Sequence, residues 1–155
     1  MIGLDKTDFK ILKILQENGR ITNIQLSMDI GLSPAPTLER VRKLESNGYI
    51  TSYHAMVNEE MLGLNIKSFI QVTINYAEKD AIKNFKSKIN MIDEVVESYH
   101  VTGSSDYLLK VIVPDVKSYE NLIVEKFSKM PEIKSLQSLM ILSNTKNSHT
   151  VPLEY

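Results

Sequence analysis

The chain has 155 residues, 43% of them hydrophobic, and a formal net charge of −1. This length allows one ordinary domain or two small ones, and no apolar run approaches the ~20 residues of a membrane-spanning helix. Cysteine is absent, which excludes a disulfide framework and a thiolate metal site and favours a reducing compartment. The N-terminus lacks the basic start and apolar core of a signal peptide. We therefore expect a cytoplasmic protein with no membrane partner.

The first predicted helix begins near the N-terminus. Asp5 is a good N-cap residue, and Asp8 places a second carboxylate in the first turn, where the helix dipole favours it. Phe9 and Leu12 give this helix an apolar face. The Asn18-Gly19 pair is a helix stop signal.

The second predicted helix follows almost at once, within residues 22–50. Thr22 is a suitable N-cap, and Gln25 stands three residues later, which is the spacing of a capping box. Gly31 can adopt the left-handed conformation that ends a helix. A short helix followed by a tight glycine turn is therefore expected.

The third predicted helix opens with Ser33 as the cap and Pro34 at the first position, where the missing N–H costs nothing. Leu38, Val41 and Leu44 recur at helical spacing and form the predicted buried stripe. The polar residues off this stripe are expected to be exposed: Thr37, Arg40, Arg42 and Lys43.

A short helix, a glycine turn and a helix with a polar N-terminal half are the pattern of a helix-turn-helix that enters the DNA major groove. A packed helical hairpin with a solvated basic face is the alternative interpretation. Residues 50–57 are rich in β-formers and predict a strand that acts as a wing or tether. Residues 1–52 carry seven Lys/Arg and six Asp/Glu, a net charge of +1, and all three arginines. Arginine suits bidentate contact with guanine or phosphate.

The third helix supplies most of the predicted DNA contacts. Ser33 and the neighbouring backbone N–H groups are expected to hold a phosphate, whereas Thr37 and Arg40 are expected to reach base edges. Arg42 and Lys43 are expected to contact phosphates, which position the protein without specifying sequence. The predicted DNA-binding residues are Arg20, Gln25, Ser33, Ala35, Thr37, Arg40, Arg42 and Lys43.

The second half of the chain changes to a period of two, which is typical of half-buried strands. Strands are predicted at 69–76, 95–102, 107–113 and 133–142, and helices at 81–90 and 118–130. The first of these helices is expected to bury Ile82, Phe85 and Ile89. The order β-α-β-β-α-β is that of the ferredoxin-like fold, so the predicted fold class is α+β. Both helices cover one sheet face, and the uncovered face favours dimerisation through the sheet.

Four motifs in order, over about residues 4–143, resemble a known family: LDKTDFKIL, NGRITNIQL, GLSPAPTLERVRKLESNGYI and VTGSSDYLLKV. The family is that of the leucine-responsive regulatory protein and AsnC (Lrp/AsnC), which are prokaryotic transcription regulators. The resemblance implies a DNA-binding domain followed by a domain that dimerises and binds a small effector, usually an amino acid, at a subunit interface. It also implies that dimers assemble further into tetramers or octamers.

The effector loop of the family matches residues 101–107 of this chain. Gly103 permits a tight turn with the backbone close to a ligand, and Asp106 can pair with an ammonium group. Without the resemblance, a Gly-Ser-Ser-Asp stretch between two strands is most often an ordinary hairpin loop. The predicted effector-binding residues are Val101, Thr102, Gly103, Ser104, Asp106, Ser135, Gln137 and Ser138.

Two residues depart from the family pattern. Glu39 stands where the family often has a basic residue; it can accept from cytosine N4, pair with Arg42 or Lys43, or remain solvated, and the last two are favoured. Ser104 stands where an Asp is common, which leaves the effector open. An architectural DNA binder without an effector is therefore one alternative function.

A catalytic or metabolite-binding ferredoxin-like domain is the other alternative, but no catalytic constellation or cofactor motif stands out. The histidines are too far apart for a metal-binding spacing. We therefore expect no enzyme, no metal and no cofactor beyond a possible amino-acid effector. The predicted organisation is a DNA-binding domain at 1–52, a strand and linker at 53–64, an oligomerisation and effector domain at 65–143, and a tail at 144–155.

Overall fold

The computed structural model describes residues 3–153. The first two residues of the predicted DNA-binding domain (1–52) and the last two residues of the predicted tail (144–155) lie outside these described residues. The chain forms two compact units. The first comprises the chain up to Met56 together with the segment from Lys146 onward, and the second is Val57–Thr145. Within residues 3–153, no helix is long and apolar enough to span a membrane.

Over the residues that the structure describes, the first unit contains three helices: α1 (Lys6–Glu17), α2 (Asn23–Ile30) and α3 (Pro34–Ser46). The predicted start of α1 is confirmed, because the side chains of Asp5 and Asp8 each accept the backbone N–H of the other residue. One apolar side chain from each helix meets in the buried core: Ile11, Leu26 and Leu44.

The predicted turn between α2 and α3 is confirmed, but one of its caps differs. Gly31 has φ 79°, the left-handed conformation expected of it. Thr22 Oγ1 accepts from Gln25 N at 3.1 Å. The side chain of Gln25 does not reach back; its amide donates to Asp29 Oδ1 at 2.8 Å instead. The capping box is therefore only half formed. Ser33 is the N-cap residue of α3, but its side chain makes no capping hydrogen bond.

The buried stripe of α3 differs from the prediction at its first position only: Leu44 is buried and Val41 packs against the core, but Thr37 takes the place expected for Leu38. Thr37 is 0% exposed, whereas Leu38 is 39% exposed. The predicted exposure of Thr37 is therefore wrong. Its hydroxyl donates to Ser33 O at 2.9 Å, and this bond allows a polar residue to be buried without an unsatisfied group.

The strand predicted at 50–57 is also wrong. The chain is irregular from Thr51 to Asn58, and among the described residues no strand lies beside it to complete a ladder. An extended segment cannot form a strand without a hydrogen-bonding neighbour. Tyr53 connects this segment to α3, since its hydroxyl donates to Glu45 Oε1 at 3.0 Å.

The C-terminal segment also belongs to the first unit. The side-chain amide of Gln16 on α1 binds the backbone of Val151 in this segment through two hydrogen bonds. Val151 N donates to Gln16 Oε1 at 2.7 Å, and Gln16 Nε2 donates to Val151 O at 3.4 Å. The Gln16 amide thus pairs with the N–H and C=O groups of Val151, as the backbone of a neighbouring strand would.

The second unit has the predicted order of elements. They are β1 (Ile66–Ile74), α4 (Ala81–Ile89), β2 (Val95–His100), β3 (Tyr107–Val113), α5 (Val116–Asn121), which continues as a π-helical segment (Leu122–Phe127), and β4 (Ile133–Met140). The antiparallel sheet has the strand order β2-β3-β1-β4. This is the ferredoxin-like topology, so the predicted α+β fold class is confirmed.

The two faces of the sheet differ in composition. Ile70, Val72 and Ile74 of β1 are buried in the core, whereas Gln71 and Thr73 point to the opposite face. One inward prediction on α4 is wrong, because Ile82 is 37% exposed. The buried positions of α4 follow a strict four-residue spacing: they are Ala81, Phe85 and Ile89.

Candidate nucleic-acid interface and effector pocket

The exposed surface of α3 is a ridge opposite its buried stripe. Ala35, Glu39 and Arg42 are all exposed and recur at i, i+4 and i+7, so they lie on one face. Thr37 and Leu44 lie on the other face and are buried. We call Ala35, Leu38, Glu39, Arg42 and Ser46 the α3 ridge. This ridge is one solvent-exposed face of the helix.

Arg40 lies beside the ridge and is engaged within the protein. Its Nη1 atom lies 2.7 Å from Asp5 Oδ2 and 2.7 Å from Asp8 Oδ1. The Asp8 backbone N–H and the Arg40 guanidinium lower the pKa of Asp5. A guanidinium held by two ionised carboxylates is not a free base-reading group. The predicted base contacts do not fit this geometry, because Thr37 is buried and Arg40 is held by Asp5 and Asp8.

The remaining predicted DNA-binding residues are accessible. Arg20 is exposed in the turn between α1 and α2, and Gln25 is exposed on α2. Ser33, Arg42 and Lys43 are exposed along α3. Leu38 is an accessible apolar residue that the sequence pattern had assigned to the core. Spacings of 37-41-44 and 38-41-44 both fit a helix, so only the packing distinguishes them.

The second unit has a polar cavity of about 390 Å³ on the helix-free face of the sheet. Cross-strand pairing places Gln71 opposite Gln137 and Thr73 opposite Ser135. Three of the predicted effector residues line the cavity: Ser104, Ser135 and Gln137. Four lining residues are new: Gln71, Thr73, Ser105 and Leu136. The alternation of apolar and polar residues in the sequence indicates the polar positions of β1, but it does not indicate which residues of β4 pair with them.

The loop at the rim of this cavity is tied down by Asp106. Asp106 Oδ2 accepts from Ile74 N and Oδ1 accepts from the hydroxyl of Tyr76, each at 2.7 Å. These two hydrogen bonds, that from Ile74 first, lower the pKa of Asp106. Val101 N also donates to Asp106 O at 2.9 Å. Gly103 has φ 128° at the tip of the loop, a conformation that favours glycine.

The other predicted effector residues lie elsewhere. Ser138 pairs with the buried Ile70 across the strands, and its Oγ accepts from the hydroxyl of Tyr119 at 2.5 Å. Its side chain therefore faces the helices, and its predicted place in the pocket is wrong, because the pleat alternates faces. Four further predicted effector residues are not among the described residues that line the cavity: Val101, Thr102, Gly103 and Asp106. Asp106 instead positions the loop.

Family models match both units of the chain. Residues 4–51 match "Winged helix-turn-helix DNA-binding", and residues 67–151 match "Lrp/AsnC ligand binding domain". The leucine-responsive regulatory proteins of Klebsiella pneumoniae and Escherichia coli K12 are each 36% identical over 151 residues, which is 97% of this chain and 92% of theirs.

Solved structures agree over nearly the whole length. A transcriptional regulator of Neisseria meningitidis, in complex with L-Met, superposes with a TM-score of 0.94 at 35% identity, covering 97% of each chain. Escherichia coli AsnC superposes with a TM-score of 0.87 at 29% identity, covering 97% of this chain and 99% of that one.

Proposed function

The chain belongs to the Lrp/AsnC family of transcription regulators, and we propose that it is a homo-oligomeric regulator whose binding to operator DNA responds to an amino acid. The observation that carries this proposal is that one chain has both an exposed α3 ridge in its first unit and a polar cavity on the sheet face of its second unit. The protein acts in the cytoplasm, where its DNA target is, and has no catalytic role.

The α3 ridge enters the major groove. Arg42 and Lys43 are the exposed cations of this helix, and each neutralises a phosphate or donates to a guanine edge. Ser33 and the N-terminal N–H groups of α3 bind a backbone phosphate, and Arg20 and Gln25 add backbone contacts. Ala35 supplies an apolar contact, as a thymine methyl group prefers.

The helix-free sheet face forms the dimer interface. Phe69, Leu108 and Ile112 are half-buried on this face and alternate with core residues on the other face. A sheet face with apolar side chains and no covering layer is favoured to pack against a second copy. Two-fold symmetry then sets two α3 helices on half-sites about one helical turn, ~34 Å, apart.

The cavity beside this face binds the effector. Its lining is rich in hydroxyl and amide groups, which can satisfy both the carboxylate and the ammonium of a free amino acid. The structural relative from Neisseria meningitidis is a complex with L-Met, which supports an amino acid as the class of ligand. The effector shifts the oligomer between two arrangements of unequal DNA affinity, and it can do so only if it binds these two arrangements with unequal affinity.

A thermal-shift panel with the twenty amino acids, followed by DNA binding with and without each hit, tests this proposal. A ligand at 100 times its Kd adds roughly 2.7 kcal/mol to the free energy of unfolding. Ser104→Trp should fill the cavity and abolish the shift, while Thr102→Trp, in the same loop but outside the lining, should retain it. No shift with any amino acid, together with steeply salt-dependent and sequence-blind DNA binding, would favour an architectural DNA binder.

A further inference from the structure

Glu39 is an acidic residue at the centre of a surface that the proposed function directs towards a polyanion. It is exposed on the α3 ridge, one turn after Ala35 and three residues before Arg42. DNA phosphates repel a carboxylate, so this position weakens binding to any DNA unless the carboxylate has a specific partner there. The cost of this repulsion in the complex is offset only if the side chain has a partner within the protein or on the bases.

Four other acidic residues of the first unit have partners within the protein. Asp5 and Asp8 bind Arg40. Asp29 accepts from Gln25, and Glu45 accepts from Tyr53. Each of these carboxylates therefore already has a hydrogen-bond or ion-pair partner in the protein without DNA.

Glu39 differs from these residues. In the part of the chain that the structure describes, neither Arg42 nor Lys43 lies within ion-pair distance of its carboxylate. Its carboxylate is solvated, and an approaching groove would meet it directly. Binding would strip away that water, and the cost is recovered only if a hydrogen-bond donor replaces it.

The major groove offers few donors of this kind. Guanine N7 and O6 and thymine O4 are acceptors, whereas cytosine presents its N4 amino group, the usual partner of a Glu or Asp side chain. Adenine presents N6 beside the acceptor N7, an arrangement that suits an amide better than a carboxylate. Cytosine is therefore the base that fits Glu39.

We propose that Glu39 is a specificity-determining residue that accepts a hydrogen bond from the N4 amino group of a cytosine in each operator half-site. This inference rests on the proposed function, since it needs α3 in the major groove. Arg42, on the same ridge, contributes the complementary donor for a neighbouring guanine or phosphate. The negative charge also disfavours DNA that lacks a cytosine at this position.

Selection of bound duplexes from a random DNA library, with the full-length protein, tests the inference. The wild type should enrich a motif with a cytosine at one fixed position of each half-site. Glu39→Ala should lose the preference at that position alone, with a drop of roughly tenfold in discrimination between cytosine and the other bases. Glu39→Gln should move the preference to adenine, because glutamine pairs with adenine N6 and N7.

Glu60→Gln is the matched control, since Glu60 is exposed in the second unit and its substitution removes the same charge. It should enrich the wild-type motif. Thermal melting of each variant checks folding, which substitution at an exposed position should leave unchanged. Retention of the wild-type motif by Glu39→Ala, or loss of preference at all positions together, overturns the inference. A wild type that enriches no motif overturns the proposed sequence-specific function as well, so the two failures are distinguishable.

Discussion

The guanidinium of Arg40 donates to the carboxylate of Asp8 at 2.7 Å, and this contact joins the middle of α3 to the first turn of α1. The Asp8 side chain is only 13% exposed, so the ion pair is partly shielded from solvent. The same carboxylate also accepts from the backbone N–H of Asp5. A helix cap and an interhelical ion pair therefore share one side chain.

Arg40→Ala should lower the free energy of unfolding of the first unit by about 1 kcal/mol, since partly exposed ion pairs are worth little more. Urea denaturation measures the change. Arg42→Ala is the control on the same helix: it should leave stability unchanged but weaken DNA binding and reduce its salt dependence. Equal stability of the two variants would show that the Arg40 ion pairs contribute nothing.

Asp106 should make the effector loop sensitive to acid. Its pKa is lowered in the folded protein by the hydrogen bonds from Ile74 and Tyr76, so its stabilising contribution is full above the ordinary pKa of 3.8 and is lost as pH falls through the lower folded value. Asp106→Asn should reduce the Tm at neutral pH, and the difference from the wild type should shrink below that range. A constant difference from neutral pH into strong acid would contradict the prediction.

Tyr53 should give the opposite pH dependence. Burial first, and then the hydrogen bond to Glu45, raise the pKa of Tyr53 to about 12 from 10.0. The neutral phenol is therefore favoured by folding, and its contribution is present below pH 10 and lost as pH rises towards 12. Tyr53→Phe should remove the latest-titrating phenol from an absorbance titration of the folded protein. An unchanged late phase would assign it to another tyrosine.

Gln16 should control the order of the C-terminal segment. Gln16→Ala removes both hydrogen bonds to Val151, so the amide of Val151 should exchange with solvent at the rate of an unprotected peptide. Hydrogen exchange measured by NMR gives this rate directly. Glu17→Ala, a change at the next residue of α1, should leave the protection intact.

Leu108 should report on the proposed dimer. Leu108→Asp puts a charge on the helix-free sheet face, and burial of an unpaired carboxylate against a second copy is strongly unfavourable. Sedimentation should show a folded monomer. Val124→Asp, at a position 50% exposed on the π-helical segment, is the control and should preserve the oligomer. A dimer that persists in Leu108→Asp would move the interface to another surface.

The sequence by itself determined the three helices of the first unit and the order of helices and strands in the second, although the strand it predicted at 50–57 does not form. Helix starts were local decisions: the side chains of Asp5 and Thr22 cap the backbone within three residues, and Gly31 ends α2 because it tolerates a positive φ. The alternation in β1 likewise assigned Ile70 and Val72 to the core. Local signals of this kind depend on a few neighbouring residues, so they can be interpreted without a fold.

Only the tertiary structure decided how side chains distant in sequence share a site. Arg40 is bound by carboxylates 32 and 35 residues away, and the face of Ser138 follows from its pairing with β1. The buried stripe of α3 begins at Thr37 and leaves Leu38 exposed, although both spacings fit a helix. Long-range pairing and packing set these outcomes, because the free energy of a buried or ion-paired side chain depends on the surface it meets.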